Sequence, residues 1–370
     1  MKRLGILVLA EPSGGIYQYT VSMLQALRYL KDWDITLYST SENNYYDAFG
    51  YSVCRVNAHR RDWPGLMIRD LLNIHGLDPF AREDLILAPF HSPILLHTRK
   101  PFAYTLHDLQ EHYFPENFSW LRRSWRRLMN SCLTKRASRI VCESDHVRRD
   151  IIFLLGAAAE KVVVIPAPPV TMRSSDCSPE FMDATRAKYQ LPDQYLLYPA
   201  QFWPHKNHMR LVEAFSRISS KFPKLQLVLT GSKRDEYQKV FARVRELRLE
   251  QRVRHIGYVE QSELGVLYRC AQCLVMPSLF ESISIPVYEA FQCGTPVCAS
   301  NVVAIPEQVG NAGLLFDPYS AESIAESICS LLGSDDLRSH LARLGRARLE
   351  AMSHELYSKQ LESLLESLSK

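Results

Sequence analysis

Phe280-Glu281-Ser282-Ile283-Ser284-Ile285-Pro286-Val287-Tyr288-Glu289-Ala290 places two carboxylates eight positions apart. Proline fits a first helical turn, where its missing N–H has no intrahelical partner to lose, so Ile285 and Pro286 predict a helix start. Glu289 then stands one turn inside the helix and Glu281 on the loop before it. The backbone N–H groups from Ser282 to Val287 are expected to face a ligand in front of the helix, an end that attracts phosphate. An ionised carboxylate only accepts hydrogen bonds, which suits the hydroxyls of a sugar or a ribose. For the bare spacing a loop acid beside a solvated first-turn acid is the commoner explanation, so the flanking residues decide.

Upstream stand Arg254-His255-Ile256-Gly257-Tyr258-Val259, Glu263-Leu264, Leu267-Tyr268 and Cys273-Leu274-Val275-Met276-Pro277-Ser278. Downstream stand Cys293-Gly294-Thr295-Pro296-Val297-Cys298-Ala299-Ser300, Ile305-Pro306-Glu307 and Gly313-Leu314-Leu315-Phe316-Asp317-Pro318. In order, spacing and type this series resembles the nucleotide-sugar domain of the retaining glycosyltransferases of family 4. The resemblance implies an α/β fold of the GT-B type, with two Rossmann-like domains facing a cleft and a final helix that crosses back to the first domain.

A chain of 370 residues exceeds what one hydrophobic core usually supports, so two domains are expected. With 46% hydrophobic and 23% charged residues and a net charge of +4, the composition is that of an ordinary soluble globular protein. No run approaches the roughly 18 apolar residues of a membrane-spanning helix. Met1–Ala10 reads as a first buried strand rather than a signal peptide, because Glu11 and Gly14-Gly15 follow directly. Nine cysteines without framework spacing argue for free thiols in a reducing cytoplasm, and Cys270-x-x-Cys273 has no second pair to complete a metal site.

Apolar runs of strand length alternate with longer amphipathic stretches: Leu4–Leu9, Ile35–Tyr38, Leu85–Ala88, Phe102–Leu106 and Ile140–Cys142. The rhythm restarts at Tyr195–Tyr198 and continues through Leu225–Leu229, Val253–Ile256, Leu274–Met276 and Pro296–Ala299. Two such series predict two parallel sheets covered by helices. Pro166-Ala167-Pro168-Pro169 and the polar segment after it place a hinge near 166–190. The expected domains are 1–170, 171–345 and a terminal helical segment, 346–370, that packs toward the first domain.

Each candidate site residue has a structural explanation beside the functional one. Pro12-Ser13-Gly14-Gly15-Ile16-Tyr17 follows the first strand, where Gly14 and Gly15 allow close backbone approach to a ligand or merely a tight turn. Thr105-Leu106-His107-Asp108-Leu109 ends a strand, where open α/β sheets bind ligands; the resemblance assigns His107 to the transferred sugar. In Tyr198-Pro199-Ala200-Gln201-Phe202-Trp203-Pro204-His205-Lys206-Asn207 the resemblance assigns Lys206 to the donor diphosphate. The family's arginine is replaced by Gln201, which cannot neutralise a phosphate, and His205, Arg210 or a first-domain cation is expected to compensate. Gly231 is expected to let the backbone approach the nucleotide, and Tyr258 lies where the family binds the base. The usual Glu-Gly-Phe-Gly is here Glu281-Ser282-Ile283-Ser284, which reads as a change in sugar preference or as serines tolerating the same loop. By the same resemblance Glu281 holds sugar hydroxyls and Glu289 the ribose.

A basic helix is expected from Ser119 to Arg136. On a 100° wheel Leu121, Trp125, Leu128, Met129 and Cys132 share one arc, and Arg122, Arg123, Arg126 and Arg127 the next. This is either an ordinary surface helix or one whose arginines meet an acceptor diphosphate or anionic lipid. No nucleic-acid module accompanies it, so nucleic acid is not an expected partner.

The activity implied is transfer of a sugar, with retention, from a nucleotide-diphosphate sugar to a glycan or lipid-linked glycan acceptor, in assembly of lipopolysaccharide O-antigen or another surface polysaccharide. A mannosyl or rhamnosyl donor is weakly favoured. The resemblance implies no cofactor and no metal, since the donor is a substrate. The implied location is the cytoplasm, at the inner face of the plasma membrane. The alternatives are a sugar-nucleotide epimerase on the same architecture and a non-catalytic sugar-nucleotide-binding subunit.

Overall fold

A computed structural model describes residues 1–12, 14–40, 44–56, 78–170 and 178–369. The chain divides into two compact units, Met1–Val170 with Met352–Lys370, and Thr171–Ala351.

The first unit contains β1 (Lys2–Leu7), β2 (Trp33–Ser39), β3 (Ser52–Arg55), β4 (Leu85–Ala88), β5 (Phe102–Thr105), β6 (Arg139–Cys142) and β7 (Val162–Val164). They pair in the order β3-β2-β1-β4-β5-β6-β7, and every pair is parallel. A parallel sheet is covered on both faces, which is why its central strands read as unbroken apolar runs. Leu85–Ala88 is buried at every position, with Leu85 and Leu87 in one core cluster and Ile86 and Ala88 in the other. The first cluster is closed by the helix Gly14–Leu27 and by the last helix, His354–Leu368, whose Tyr357, Leu361, Leu364 and Leu365 are buried there. Ser353 caps that last helix, and the Tyr357 hydroxyl donates to Tyr19 Oη at 3.1 Å. The C-terminal segment therefore forms part of the first unit's core.

The second unit contains β8 (Tyr195–Pro199), β9 (Gln226–Thr230), β10 (Val253–His255), β11 (Cys273–Met276), β12 (Val297–Ser300) and β13 (Leu314–Phe316), in the order β10-β9-β8-β11-β12-β13. These pairs too are all parallel. The two Rossmann-like halves anticipated from the alternating runs are present.

Three strands had no counterpart in the sequence reading: β3, β7 and β13. Each lies at a sheet edge and is only partly buried; β3 carries Ser52 and Arg55 within its four residues, while β7 and β13 are apolar but span only three residues each. The expected boundary at 346 falls inside the continuous helix Asp335–Glu350. That helix stays with the second unit because Gly345 lies flat on Phe291: an added Cβ would stand 2.4 Å from its ring. Of the expected hinge at 166–190, residues 171–177 lie outside the described residues. Its remainder includes the helix Pro179–Tyr189, which starts there because Ser178 caps it and Pro179 fits its first turn.

Candidate functional site

In an open parallel sheet the crevice for ligands forms at the carboxyl ends of the strands, where the strand order reverses. In the second unit that point lies between β8 and β11. The loop after β8 carries Lys206 and the loop after β11 carries Glu281, and Lys206 Nζ donates to Glu281 Oε1 at 2.6 Å with both side chains largely buried. Leu279 N–H donates to the His205 carbonyl at 2.7 Å and ties the two loops together, while the Tyr198 hydroxyl donates to the Lys206 carbonyl at 2.7 Å and holds the turn against its own strand. Asn207, in the left-handed region at φ 58°, ties the turn to the Pro277 and Pro318 carbonyls. Topology thus joins into one ion pair a cation and an acid that the sequence assigned to separate parts of a ligand.

The helix starts at Ile285, with Pro286 in its first turn, as the sequence predicted. Glu289 is 4% exposed. Its Oε1 accepts from Gln261 Nε2 at 2.7 Å and its Oε2 from the Tyr268 hydroxyl at 2.8 Å. These bonds fix the carboxylate in place. The expectation that the N–H groups from Ser282 to Val287 all face a ligand needs correction. Ser284 N–H donates to Gln308 Oε1 at 2.8 Å, and Gln308 Nε2 returns a bond to the Ser284 carbonyl at 2.7 Å. Val287 N–H closes on the Ser284 carbonyl at 3.2 Å. Ser282, Ile283 and Ile285 are partly exposed, whereas the buried Ser284 Oγ has no hydrogen-bond partner.

The other wall of this loop carries strain. Ala304 N–H donates to the Glu281 carbonyl at 3.3 Å, and the preceding Val303 sits at φ 53°, a region that β-branched residues avoid. Val303→Gly should therefore raise the stability of this unit by about 1 kcal/mol, measured by denaturant unfolding. An unchanged or lower midpoint would mean that the valine is unstrained.

On β8's other side the loop of Gly231 lies against that of Gln201. Gly231 has φ 106°, and an added Cβ would stand 2.7 Å from the Ala200 carbonyl oxygen, so only glycine fits. His255 Nε2 lies 2.8 Å from the Gly231 carbonyl. Gln201 Oε1 accepts from the Trp203 indole at 3.2 Å and from Arg234 Nε at 3.0 Å. Of the cations expected near Gln201, Arg210 instead pairs with Glu213 on its own helix at 3.6 Å. Tyr258 is 65% exposed at the end of this edge.

Behind the Lys206 turn, His208 is 2% exposed and stacks on Phe202 with ring centroids 4.1 Å apart. Burial pushes its pKa down to about 3. The folded state thus holds it neutral while the unfolded chain takes up a proton below about pH 6.5. Its contribution is complete above that pH and is lost as pH falls toward 3. At pH 4.5 the loss should be roughly 3 kcal/mol, and His208→Leu should flatten the stability profile between pH 6.5 and 4.5. A mutant profile as steep as the wild type's would contradict this.

In the first unit the strand order reverses between β1 and β4. Ser13 lies outside the described residues; Gly14 (φ 79°) and Gly15 open the helix after β1, both exposed. His107 follows β5, with Nδ1 2.9 Å from Glu143 Oε2 and Nε2 2.8 Å from the Pro89 carbonyl. Both partners accept, so an imidazolium satisfies both. Burial opposes that charge, but Glu143 and the Pro89 carbonyl outweigh it, and the pKa of His107 is raised. The edge of the Tyr19 ring meets the imidazole at 4.7 Å. Glu143 and Tyr19 were missed by sequence reasoning; an acid directly after a strand's carboxyl end was the available signal for Glu143.

The basic helix spans Trp120–Arg136, capped by Ser119, but its buried arc differs from the expected one. Trp125, Met129, Asn130, Leu133 and Thr134 face inward, while Leu121 and Leu128 are each 52% exposed and Trp120 is 68% exposed. Arg126 turns inward, at 3.0 Å from both Asp108 and the fully buried Glu111. A buried carboxylate needs a cation, and this need overrides the amphipathic pattern. Arg126 is therefore not available to an acceptor or a membrane. Arg122 and Arg127 are exposed and Arg123 partly so.

Among the described residues no helix is long and apolar enough to cross a membrane. Residues 13–168 match the family described as Glycosyltransferase Family 4, and residues 182–348 match Glycosyl transferases group 1. The chain is 30% identical over 284 residues to O-antigen chain mannosyltransferase B of Escherichia coli, covering 72% of this chain and 71% of that protein. It is 25% identical over 329 residues to O-antigen chain mannosyltransferase RfbU of Salmonella typhimurium, covering 86% and 88%. Among solved structures, sucrose-phosphate synthase from Thermosynechococcus elongatus superposes with a TM-score of 0.80 at 20% identity, covering 100% of this chain and 99% of the other. Anabaena HepE in complex with UDP and glucose superposes at 0.77 with 18% identity, covering 99% and 100%. At these identities the superpositions establish the shared fold.

Proposed function

The chain belongs to glycosyltransferase family 4 and is a glycosyltransferase, and from that premise we propose that it moves a hexose from a nucleotide-diphosphate sugar to a glycan or lipid-linked glycan hydroxyl during assembly of a surface polysaccharide such as O-antigen. A mannosyl donor is favoured by the similarity to the two O-antigen chain mannosyltransferases. The observation that carries the reading is the Lys206–Glu281 pair at the switch point of the second unit, where a phosphate-binding cation and a hydroxyl-binding acid stand 2.6 Å apart.

In this reading the donor diphosphate draws Lys206 away from Glu281, and the freed carboxylate accepts from sugar hydroxyls. Glu289, fixed by Gln261 and Tyr268, accepts from the ribose. The family resemblance assigns His107 to the transferred sugar, and its two ring nitrogens are taken up by Glu143 and the Pro89 carbonyl, which leaves neither as a free base. Retention follows if the acceptor attacks from the face that the diphosphate leaves, with a phosphate oxygen taking the acceptor proton; this requires no metal, no cofactor and no protein nucleophile. Catalysis then rests on positioning and on stabilising the departing diphosphate. The exposed arc of Trp120, Leu121, Arg127, Leu128 and Lys135 suits the headgroup region of an anionic cytoplasmic membrane.

Thermal shift with GDP-, UDP- and dTDP-sugars tests the donor reading. A ligand at 100 times its Kd stabilises by about 2.7 kcal/mol, so one donor series should raise the melting temperature of the second unit. No shift with any of the three would count against it.

A further inference from the structure

We infer that Arg234 supplies the cation for the donor diphosphate on the β8–β9 side of the site, with Gln201 and Trp203 as the residues that position it. This rests on the nucleotide-sugar reading and goes beyond it, because Lys206 is paired with a carboxylate until the donor displaces it. A pair of opposite charges presents little net field to a dianionic group, so a second cation is needed at this edge.

Arg234 lies two residues beyond Ser232, in the loop after β9. That loop has almost no freedom against the loop after β8. Gly231 touches the Ala200 backbone closely enough to forbid a side chain, Phe202 N–H donates to the Ser232 carbonyl at 3.3 Å, and Glu236 N–H donates to the Phe202 carbonyl at 3.1 Å. Arg234 is exposed, and exposed arginines are normally mobile. Here Nε is tied to Gln201 Oε1 at 3.0 Å, and the guanidinium stands 5.2 Å over the Trp203 ring. Trp203 in turn fixes the acceptor through its own bond to Gln201 Oε1.

Anchoring through Nε leaves the two terminal amino groups with no hydrogen-bond partner among the described residues, as a fork of donors at the carboxyl edge of the sheet. Such a fork matches two phosphate oxygens, which an ammonium cannot do. Gln201 thus stands where a cation could have been and instead aims a cation from the neighbouring loop. An arginine merely stacked on the surface would make the same contacts without affecting ligand binding, and the experiment separates the two.

GDP, UDP and dTDP are titrated calorimetrically into the full chain, with guanosine, uridine and thymidine as controls. For the diphosphate that the wild type binds, Arg234→Ala should weaken affinity by about tenfold or more, and its nucleoside should bind unchanged. Gln201→Met, which keeps the cation and removes its anchor, should weaken the diphosphate by a smaller factor, again without touching the nucleoside. Diphosphate affinity within twofold of wild type in Arg234→Ala overturns the inference, as does equal weakening of nucleoside and diphosphate. A wild type that binds none of GDP, UDP and dTDP instead overturns the nucleotide-sugar reading beneath it.

Discussion

Lys206→Ala should lower turnover by about 10²–10³-fold, the range for removing one preorganised group that stabilises charge developing on a leaving group. The effect should fall on kcat rather than on KM alone, because the diphosphate carries more charge when it departs than in the bound donor. The ion pair complicates the single mutant, since loss of Lys206 also leaves Glu281, with its side chain 11% exposed, without its cation. The like-charged carboxylate would then repel the diphosphate. Glu281→Gln in the Lys206→Ala background removes that repulsion and should recover part of the donor affinity while turnover stays low. Wild-type turnover in Lys206→Ala, measured under donor saturation, would remove the lysine from the account.

Arg126→Ala should destabilise the first unit by about 3–5 kcal/mol, the cost of leaving a buried carboxylate without its cation. Glu111 is fully buried, and among the described residues the neutral Asn130 Nδ2, at 3.1 Å, would remain as its donor. By contrast Arg127→Ala, on the exposed face of the same helix, should change stability by less than about 0.5 kcal/mol. Denaturant unfolding of both variants checks the contrast. Adding Glu111→Gln to Arg126→Ala should recover much of the loss, because a neutral amide no longer needs a cation. Equal, small effects from both arginines would mean that the pair at Glu111 contributes nothing to folding.

The contrast marks where the sequence is legible. Ten strands announced themselves because parallel strands buried on both faces must be apolar throughout, as at Leu85–Ala88. The edge strands β3, β7 and β13 did not, because β3 carries Ser52 and Arg55 and the apolar runs of β7 and β13 are only three residues long. The helix start at Ile285 followed from one proline. On the basic helix the wheel misled, because Leu121 and Leu128 fit a buried arc by spacing, while the position of Arg126 is dictated by Glu111, an acid on another segment.

The site was legible as a set of residues and illegible as an arrangement. Lys206 and Glu281 are 75 positions apart, and only the order β8-β11 in the sheet makes them a pair. Glu143 behind His107 and Gln308 behind Ser284 act through single long-range bonds that leave no local pattern. The same holds for Arg234 at Gln201.

The most direct measurement is product analysis by NMR after incubating the chain with GDP-mannose and a lipid-linked or short glycan acceptor. The account predicts a new glycosidic bond with the donor's anomeric configuration, formed only when acceptor is present and strongly reduced in Lys206→Ala. An inverted product, or a rearranged sugar nucleotide formed without acceptor, would contradict it.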